Sequence, residues 1–395
     1  MELSELQALL TPEGLRLLDA MPPVESSDDV ARAVTRLRRD GHSPDLVSAV
    51  VGQARLRTRA RAKFGDLATR MLFTRAGLEQ STRLPIAARH AARFRDAGFA
   101  HVADLGCGIG GDALGLAGLG LRVTAVEVDE VTAAIAAYNL APFGADVEVR
   151  LGPAESADLD GIDAVWLDPA RRTAGHSETA RTRPEDWSPS LDWVLGLATR
   201  LPAGVKLGPG LDRDLIPDDV EAQWVSADGS TVELVLWSGA LARPGVRRAA
   251  LVIRGERAHE LTGETDAADE PTRDLGAFVH EPDGAVIRAR LIGDVTRTLE
   301  AGMLDEHIAY LTSDSALTSP FVSTFRVREV LPADEKALAK ALRERDIGRL
   351  EIKKRGVDVD PAALRTRLKL RGSDSATLLL TRIGNRRTAI LADRV

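Results

Sequence analysis

The chain has 395 residues, 44% of them apolar and 28% charged, with a mean hydropathy of −0.10, enough for two or three cores and incompatible with fibrous, collagen-like or wholly disordered classes. The net charge of −7 argues against a polyanionic partner only as an average: residues 50 to 95 hold 11 Lys/Arg against 2 Asp/Glu, residues 321 to 395 hold 18 against 10, and the remainder is acidic. Two basic blocks around an acidic middle fit a nucleic acid gripped by terminal modules, or else solvated helix faces. No run approaches the roughly 18 apolar residues of a membrane span, and the opening M-E-L-S-E-L-Q-A-L-L carries acids where a leader carries bases, so a cytoplasmic protein is expected. The single cysteine, Cys107, permits no internal disulfide, and the seven histidines contain no pair at metal-ligand spacing, so no metal is expected.

Residues 1–95 read as a helical N-terminal region. Segments 28–40 and 45–63 place apolar residues three and four apart with arginines between them, punctuated by Pro22-Pro23 and Gly41. Residues 96–255 read as an α/β core. Short β-branched runs at 101–105, 122–128, 147–151, 163–168 and 204–208 alternate with helices, the pattern of a doubly wound parallel sheet. Runs 232–237 and 248–253, joined by a Pro-Gly loop, read as an antiparallel pair closing one edge. Residues 256–320 read as an insertion or linker, with an acidic, exposed loop over 255–271. Residues 321–395 form a small α/β module: strands at 325–331, 349–355, 375–383 and 386–392, helices at 333–346 and 360–370, and a Gly384-Asn385 hairpin turn.

The most informative segment is D-L-G-C-G-I-G-G-D, Asp104 to Asp112, at the end of the first strand and the start of a helix. Glycines let the backbone approach a ligand, and a helix N-terminus adds free N–H groups. Gly106, Gly108 and Gly111 satisfy G-x-G-x-x-G, which a dinucleotide site also uses. Three features separate the readings. Asp104 precedes the first glycine by two residues, where a carboxylate suits a cationic ligand and repels a pyrophosphate. Glu127 ends the second strand, where an acid accepts ribose hydroxyls at roughly 1.5–3 kcal/mol per charge-assisted bond. D-P-A-R-R, Asp168 to Arg172, follows the fourth strand at the carboxyl edge, where open α/β sheets hold ligands.

D-L-G-C-G-I-G, A-V-E-V-D and D-P-A-R-R, in this order, resemble the core of the class I S-adenosylmethionine-dependent methyltransferases, within their RNA-modifying branch. With L-E-Q-S-T-R (78–83), E-P-D-G-A-V-I-R-A (281–289) and the tail R-L-E-I-K-K-R-G-V-D-V-D, the chain from Arg59 onward is similar to bacterial methyltransferases bearing a C-terminal THUMP-like domain. The resemblance implies a Rossmann-like core between an N-terminal helical region and a small α/β THUMP-like domain, with S-adenosylmethionine as cofactor. It further implies that Asp104, Gly106, Cys107, Gly108 and Gly110 meet the methionine and ribose part of the cofactor. Glu127 and Val128 would lie at the ribose, Ala154 and Glu155 at the adenine, and Asp168 at the join of cofactor and substrate.

Amine-methylating relatives carry D-P-P-aromatic or N-P-P-aromatic after strand four. Asp168 and Pro169 match, but Ala170 and Arg171 depart from that pattern. The expected catalytic residues are Asp168 and Pro169, orienting the acceptor, and Arg171, whose planar guanidinium stacks on a base or binds phosphate. The competing structural reading makes Asp168 a turn cap and Arg171-Arg172 solvated. Cys107 reads as a small packing residue rather than a nucleophile, Trp166 as core, and Trp187 and Trp193, near the carboxyl edge, as core with base stacking as the alternative. THUMP domains bind RNA, so the resemblance implies tRNA or rRNA as partner. Arg55, Arg57, Arg59, Arg61 and Lys63 form one candidate RNA surface. Lys353, Lys354 and Arg355, with Arg365, Arg367, Lys369 and Arg371 nearby, form a second. Two other classes stay open: a non-catalytic RNA-binding protein with a cofactor-binding core, and an NAD-dependent dehydrogenase, which Asp104 disfavours.

Overall fold

The computed structural model describes residues 1–171, 187–384 and 386–395, which form two compact units: Met1–Leu207 with Leu236–Ala242, and Gly208–Val235 with Arg243–Val395. The first unit opens with α1 (Leu3–Leu9), α2 (Pro12–Asp19), α3 (Ser27–Arg39) and α4 (Pro44–Phe64). Thr11, Ser26 and Ser43 cap α2, α3 and α4 by accepting from Gly14, Asp29 and Leu46 N–H, and Pro12 and Pro44 sit in first turns where their missing N–H costs nothing. The apolar sides of the first three helices, with Leu6, Leu9, Leu18 and Leu37 buried, close on α4. Next come α5 (Arg75–Gln80) and α6 (Leu84–Asp96), the latter leading into the sheet.

That sheet contains β1 (His101–Leu105), β2 (Arg122–Glu127), β3 (Val147–Leu151), β4 (Ala164–Leu167) and β7 (Ala203–Leu207), all parallel, in the order β3-β2-β1-β4-β7. Helices α7 (Gly111–Gly118), α8 (Glu130–Leu140) and α9 (Leu191–Ala198) connect strands, and β5 (Ala170–Arg171) with β6 (Trp187–Ser188) makes a two-residue antiparallel pair beyond β4. The order reverses between β1 and β4, so the crevice of this open sheet lies outside the carboxyl ends of those strands. The core is Leu-, Val- and Ala-rich, with Trp166, Trp237 and Phe94 in mutual ring contact and Trp187 also buried.

In the second unit, β8 (Glu221–Ala227) and β9 (Ser230–Trp237) are hydrogen-bonded neighbours around Asp228-Gly229, whose φ values of 51° and 82° are those of a type I′ hairpin turn. β10 (Arg248–Arg254) runs parallel to β8, and β11 (Arg257–Gly263) antiparallel to β10. This corrects the expected pairing of 232–237 with 248–253: the neighbours on either side of β10 are β8 and β11, and the expected loop over 255–271 contains a strand. β8 escapes a hydrophobicity scan because E-A-Q-W-V-S-A buries three polar side chains. Each is paired: Glu221 with Arg243 at 2.6 Å, Gln223 with Glu260, and Ser226 with Asp283 at 3.0 Å.

Residues 256–320 are not a linker. Their strands β12 (Phe278–Pro282), β13 (Gly302–Asp305) and β14 (Ile308–Ser313) join β15 (Val322–Leu331), β16 (Ile347–Lys354), β17 (Asp374–Ile383) and β18 (Arg386–Arg394) in one seven-stranded sheet, order β13-β14-β12-β15-β18-β17-β16. Helices α10 (Gly284–Arg288) and α11 (Ile292–Thr298) come from the same stretch. The expected small module therefore supplies only part of its own sheet. Helices α12 (Glu335–Glu344) and α13 (Pro361–Leu368) cover one face, where Leu338, Leu342, Leu364 and Leu368 meet Leu350, Ile352, Leu378, Leu380 and Leu391. The alternate residues Leu379 and Ile390 pack on the other face with Phe325 and Tyr310. Of the expected Gly384-Asn385 turn, Gly384 has φ +57° and Asn385 lies outside the described residues.

Candidate cofactor and methyl-transfer site

The chain leaves β1 at Leu105 and turns at once. Gly106 and Cys107 N–H donate to Val126 O at 2.9 and 3.0 Å, and Gly110 N–H donates to Cys107 O at 2.9 Å. Gly106 and Gly108 have φ +88° and +55°. A Cβ on Gly106 would stand 3.3 Å from Asp168 O, while one on Gly108 would project into open space. The loop thus presents bare backbone at the crevice and touches the carboxyl end of β4 from behind. Glu127 braces it: Oε2 accepts from Gly108 N–H at 3.0 Å and Oε1 from Asp129 N–H at 2.9 Å. Gly152 N–H donates to Glu127 O at 2.9 Å, bringing the turn with buried Ala154 and exposed Glu155 beside it, and Val128 is 63% exposed. The positions expected at the cofactor, from Asp104 to Glu155, therefore gather at the carboxyl edge of three adjacent strands.

Behind the loop lies a set of charges that the motifs alone did not reveal. Asp104 is 1% exposed, and among the described residues neither carboxylate oxygen has a partner in hydrogen-bonding geometry. Burial, then the Asp112 and Asp168 carboxylates, push its pKa well above the usual range, against a weaker pull from Lys206 and the Ala113 backbone N–H. Asp112, in the first turn of α7, goes the other way. Burial raises it, but the Lys206 ammonium, His90 and Thr82 together hold it down to about 2. Thr82 Oγ1 donates to Asp112 Oδ2 at 2.8 Å, and His90 Nδ1 lies 3.1 Å from Oδ1 while its ring stacks on Trp166 at 4.5 Å. Lys206, on β7, reaches Asp168 Oδ2 in a short ion pair, Thr82 Oγ1 at 2.9 Å and Asp112 Oδ2 at 3.7 Å. One cation thus joins the end of β4, the first turn of α7 and the segment before α6.

From the helical side, one buried amide ties the same loop to residues 72–73 and a second holds that segment in turn. Asn139 Nδ2 donates to Ile109 O at 2.9 Å and to Leu72 O at 3.0 Å, and Gln53 Nε2 donates to Phe73 O at 2.6 Å. Cys107 is 7% exposed, and burial, then Asp104 and Glu127, raise its thiol pKa well above the ordinary value, so it stays protonated and packs rather than attacks. Pro169 follows Asp168 directly. The side chain of Arg171, and all of Arg172, lie outside the described residues.

The expected RNA-binding bases divide. Arg55, Arg59 and Arg61 are exposed. Arg57 is not available: it is 8% exposed, donates to Met71 O at 2.9 Å and pairs with Asp19 at 2.9 Å. Lys63 is turned inward as well, donating to the carbonyls of Leu78, Glu79 and Ser81 at 2.7–2.8 Å, and burial pushes its pKa down to about 8. It thereby holds the L-E-Q-S-T-R segment against the site. In the second group, Lys353 pairs with Glu281 at 2.5 Å and Arg355 with the same carboxylate at 3.8 Å, leaving Lys354 exposed on the opposite face. Arg367 pairs with Glu335 at 2.9 Å and Arg365 donates to Leu350 O at 3.2 Å, whereas Lys369 and Arg371 are exposed. Among the described residues no cluster of three or more His, Cys, Asp or Glu is placed to hold a metal, and no helix is long and apolar enough to cross a membrane.

Residues 322–394 match the family described as THUMP domain-like, and residues 2–60 match a domain of unknown function, DUF8688. An uncharacterized S-adenosylmethionine-dependent methyltransferase of Mycobacterium tuberculosis, matched in strains CDC 1551 and H37Rv, is 35% identical over 358 residues, covering 88% of this chain and 95% of the relative. A crystal structure from Porphyromonas gingivalis W83, provisionally described as a methyltransferase, shares the fold with a TM-score of 0.71 at 22% identity, over 94% of this chain and 99% of that one. A dehydrogenase reading of the glycine loop is thereby set aside: the chain belongs to the S-adenosylmethionine-dependent methyltransferases and carries a THUMP-like domain at its C-terminal end.

Proposed function

We propose that the protein methylates RNA, tRNA or rRNA, in the cytoplasm, and that the site at the β1–β4 crevice holds the cofactor and the acceptor. The observation that carries the assignment is Asp104, a buried carboxylate with no hydrogen-bond partner among the described residues, beside a backbone cradle with open space at Gly108. A nucleoside that also bears positive charge answers both features, and these residues fit S-adenosylmethionine. Gly106, Cys107, Gly108 and Gly110 would line its methionine and ribose part. Glu127 retains lone pairs for ribose hydroxyls beyond those used by Gly108 and Asp129, with Val128 beside it, and Ala154 and Glu155 would border the adenine.

When bound, the cofactor supplies an activated methyl group, so the protein's task is alignment. Asp168 would accept a hydrogen bond from the acceptor atom and hold it in line, with the Pro169 carbonyl as a second acceptor. Arg171, by its place in the motif, is assigned to the substrate. The THUMP-like domain and the exposed Arg55, Arg59 and Arg61, which have no ion pair among the described residues, support RNA as that substrate. The test is transfer of tritium from methyl-labelled S-adenosylmethionine to bulk RNA from a strain lacking the protein. Label in the tRNA or rRNA fraction is expected. Label only in protein or small molecules would overturn RNA and leave the transferase. Glu127→Ala should weaken S-adenosylhomocysteine binding by about tenfold or more by calorimetry, from the loss of charge-assisted bonds; unchanged affinity would remove Glu127 from the ribose.

A further inference from the structure

Several cations of the second unit's sheet and covering helices are neutralised in place. Arg328 pairs with Asp374 and Asp393, Arg345 with Glu329, Arg394 with Glu351, and Lys353 and Arg355 with Glu281. At one end of this sheet three cations stand together without such a partner among the described residues. Arg382 on β17 and Arg387 on β18 are directly opposed cross-strand neighbours, and Lys354 on β16 is registered with Leu380, two residues from Arg382. All three are exposed, and none has an ion pair or side-chain hydrogen bond among the described residues.

They also share a face. Registered residues point the same way and alternate ones repeat it. Lys354, Arg382 and Arg387 therefore continue the face of Ile352, Leu380 and Ala389, which α12 and α13 cover, past the end of its apolar core. Directly opposed antiparallel neighbours such as Arg382 and Arg387 stand about 4.5–5.5 Å apart at Cβ, and Lys354 lies one diagonal position from Arg382 on the parallel neighbour. Like charges directly opposite destabilise a strand pair, and among the described residues no carboxylate pairs with them. An arrangement that costs stability and serves no internal contact fits a ligand that brings closely spaced negative charge from outside.

We infer that Lys354, Arg382 and Arg387 form a phosphate-binding platform on the THUMP-like domain that grips the RNA backbone independently of sequence. This inference rests on the RNA reading above and assigns the grip to residues that the K-K-R run only grazes. Guanidinium pairs suit it because each fork binds a phosphate through two parallel bonds. Arg386, exposed and registered with Ile383, flanks the platform on the other face.

The test uses the full chain and fluorescein-labelled bulk tRNA, with binding followed by anisotropy across a salt series. Each phosphate contact contributes about 0.7–0.9 to the slope of log K against log salt. The triple variant Lys354→Gln, Arg382→Gln, Arg387→Gln should therefore lower that slope by about 2 to 3 and the affinity at moderate salt by tenfold or more. Its S-adenosylhomocysteine affinity should not change, which shows that the first unit is intact. Single variants should each lower the slope by about 1, keeping the test open if the triple variant folds poorly. Lys340→Gln, which removes a cation already paired with Glu344 on α12, should leave the slope unchanged. If the wild-type chain fails to bind tRNA, tRNA as the substrate and the sequence-independent platform fall together. If it binds and the triple and single variants keep the full slope, or Lys340→Gln loses as much, the platform alone is overturned.

Discussion

Asp104→Asn is expected to stabilise the ligand-free protein while weakening cofactor binding, two effects of opposite sign from one substitution. In the ligand-free chain the Asp104 carboxyl is buried beside two other carboxylates with no hydrogen-bond partner among the described residues, and its pKa is raised accordingly. A group whose folded pKa lies above its unfolded value binds protons more tightly in the folded state. Its contribution is fully present below the unfolded pKa of about 3.9 and is lost as pH rises above it. At neutral pH wild-type folding must therefore either take up a proton or bury a charge, and an amide does neither. We expect a gain on the order of 1–3 kcal/mol at pH 7, seen as a higher melting temperature, which disappears as the pH is lowered towards 4. S-adenosylhomocysteine affinity should fall by about tenfold or more, since the ammonium of its amino-acid part loses the carboxylate that answers it. A variant that melts no higher than wild type would show that the Asp104 carboxyl is better satisfied than its surroundings indicate; unchanged affinity would move the cationic end of the ligand elsewhere.

This trade is characteristic of a binding residue held at a cost to the empty protein, and Asp104 was legible in the sequence because its signal is local. The acid, the glycines, the end of the strand before them and the start of the helix after them fall within nine residues, Asp104 to Asp112. Glu127 and Asp168 were legible for the same reason, each ending a short β-branched run. Lys206 was not. In V-K-L it reads as one polar position of a strand, and only the register that sets Leu167 beside Val205 brings it next to Asp168. Arg57 and Lys63 misled for the converse reason. Their charge suggested solvent, but carbonyls of Met71, Leu78, Glu79 and Ser81 lie within reach of α4 and take both side chains inward. β8 and β11 were hidden by polar residues whose partners, Arg243, Glu260 and Asp283, lie far away in sequence. Local motifs found the ligand-facing edge, whereas the charges supporting it from behind are set by long-range register.

The largest effect should come from that support. Lys206→Met leaves Asp112 and Asp168 without the ammonium they share, and removing one partner of a buried ion pair costs about 3–5 kcal/mol. The pH dependence fixes the cause. In the wild type, Asp112 is held down to about 2, so its stabilising contribution is present above the unfolded pKa of about 3.9 and is lost as pH falls from there towards 2. Without Lys206, burial is no longer offset by the ammonium, so the carboxylates favour their protonated forms and the deficit is greatest at neutral pH. The gap between wild-type and variant melting temperatures should therefore narrow from pH 7 to pH 4, a trend that a lost packing contact would not produce. Lys206→Arg keeps the cation and should recover part of the stability. Function should follow geometry: Asp168, no longer fixed by its ion pair, would hold the acceptor out of line, and a displacement of about 1 Å is enough to lower transfer by about a hundredfold. S-adenosylhomocysteine binding should change much less, because the glycine loop keeps its bonds to Val126, Glu127 and Asn139. A Met variant as stable as wild type at pH 7, with transfer intact, would show that Lys206 neither stabilises these carboxylates nor positions Asp168; equal losses of cofactor affinity and transfer would make its role that of holding the loop itself.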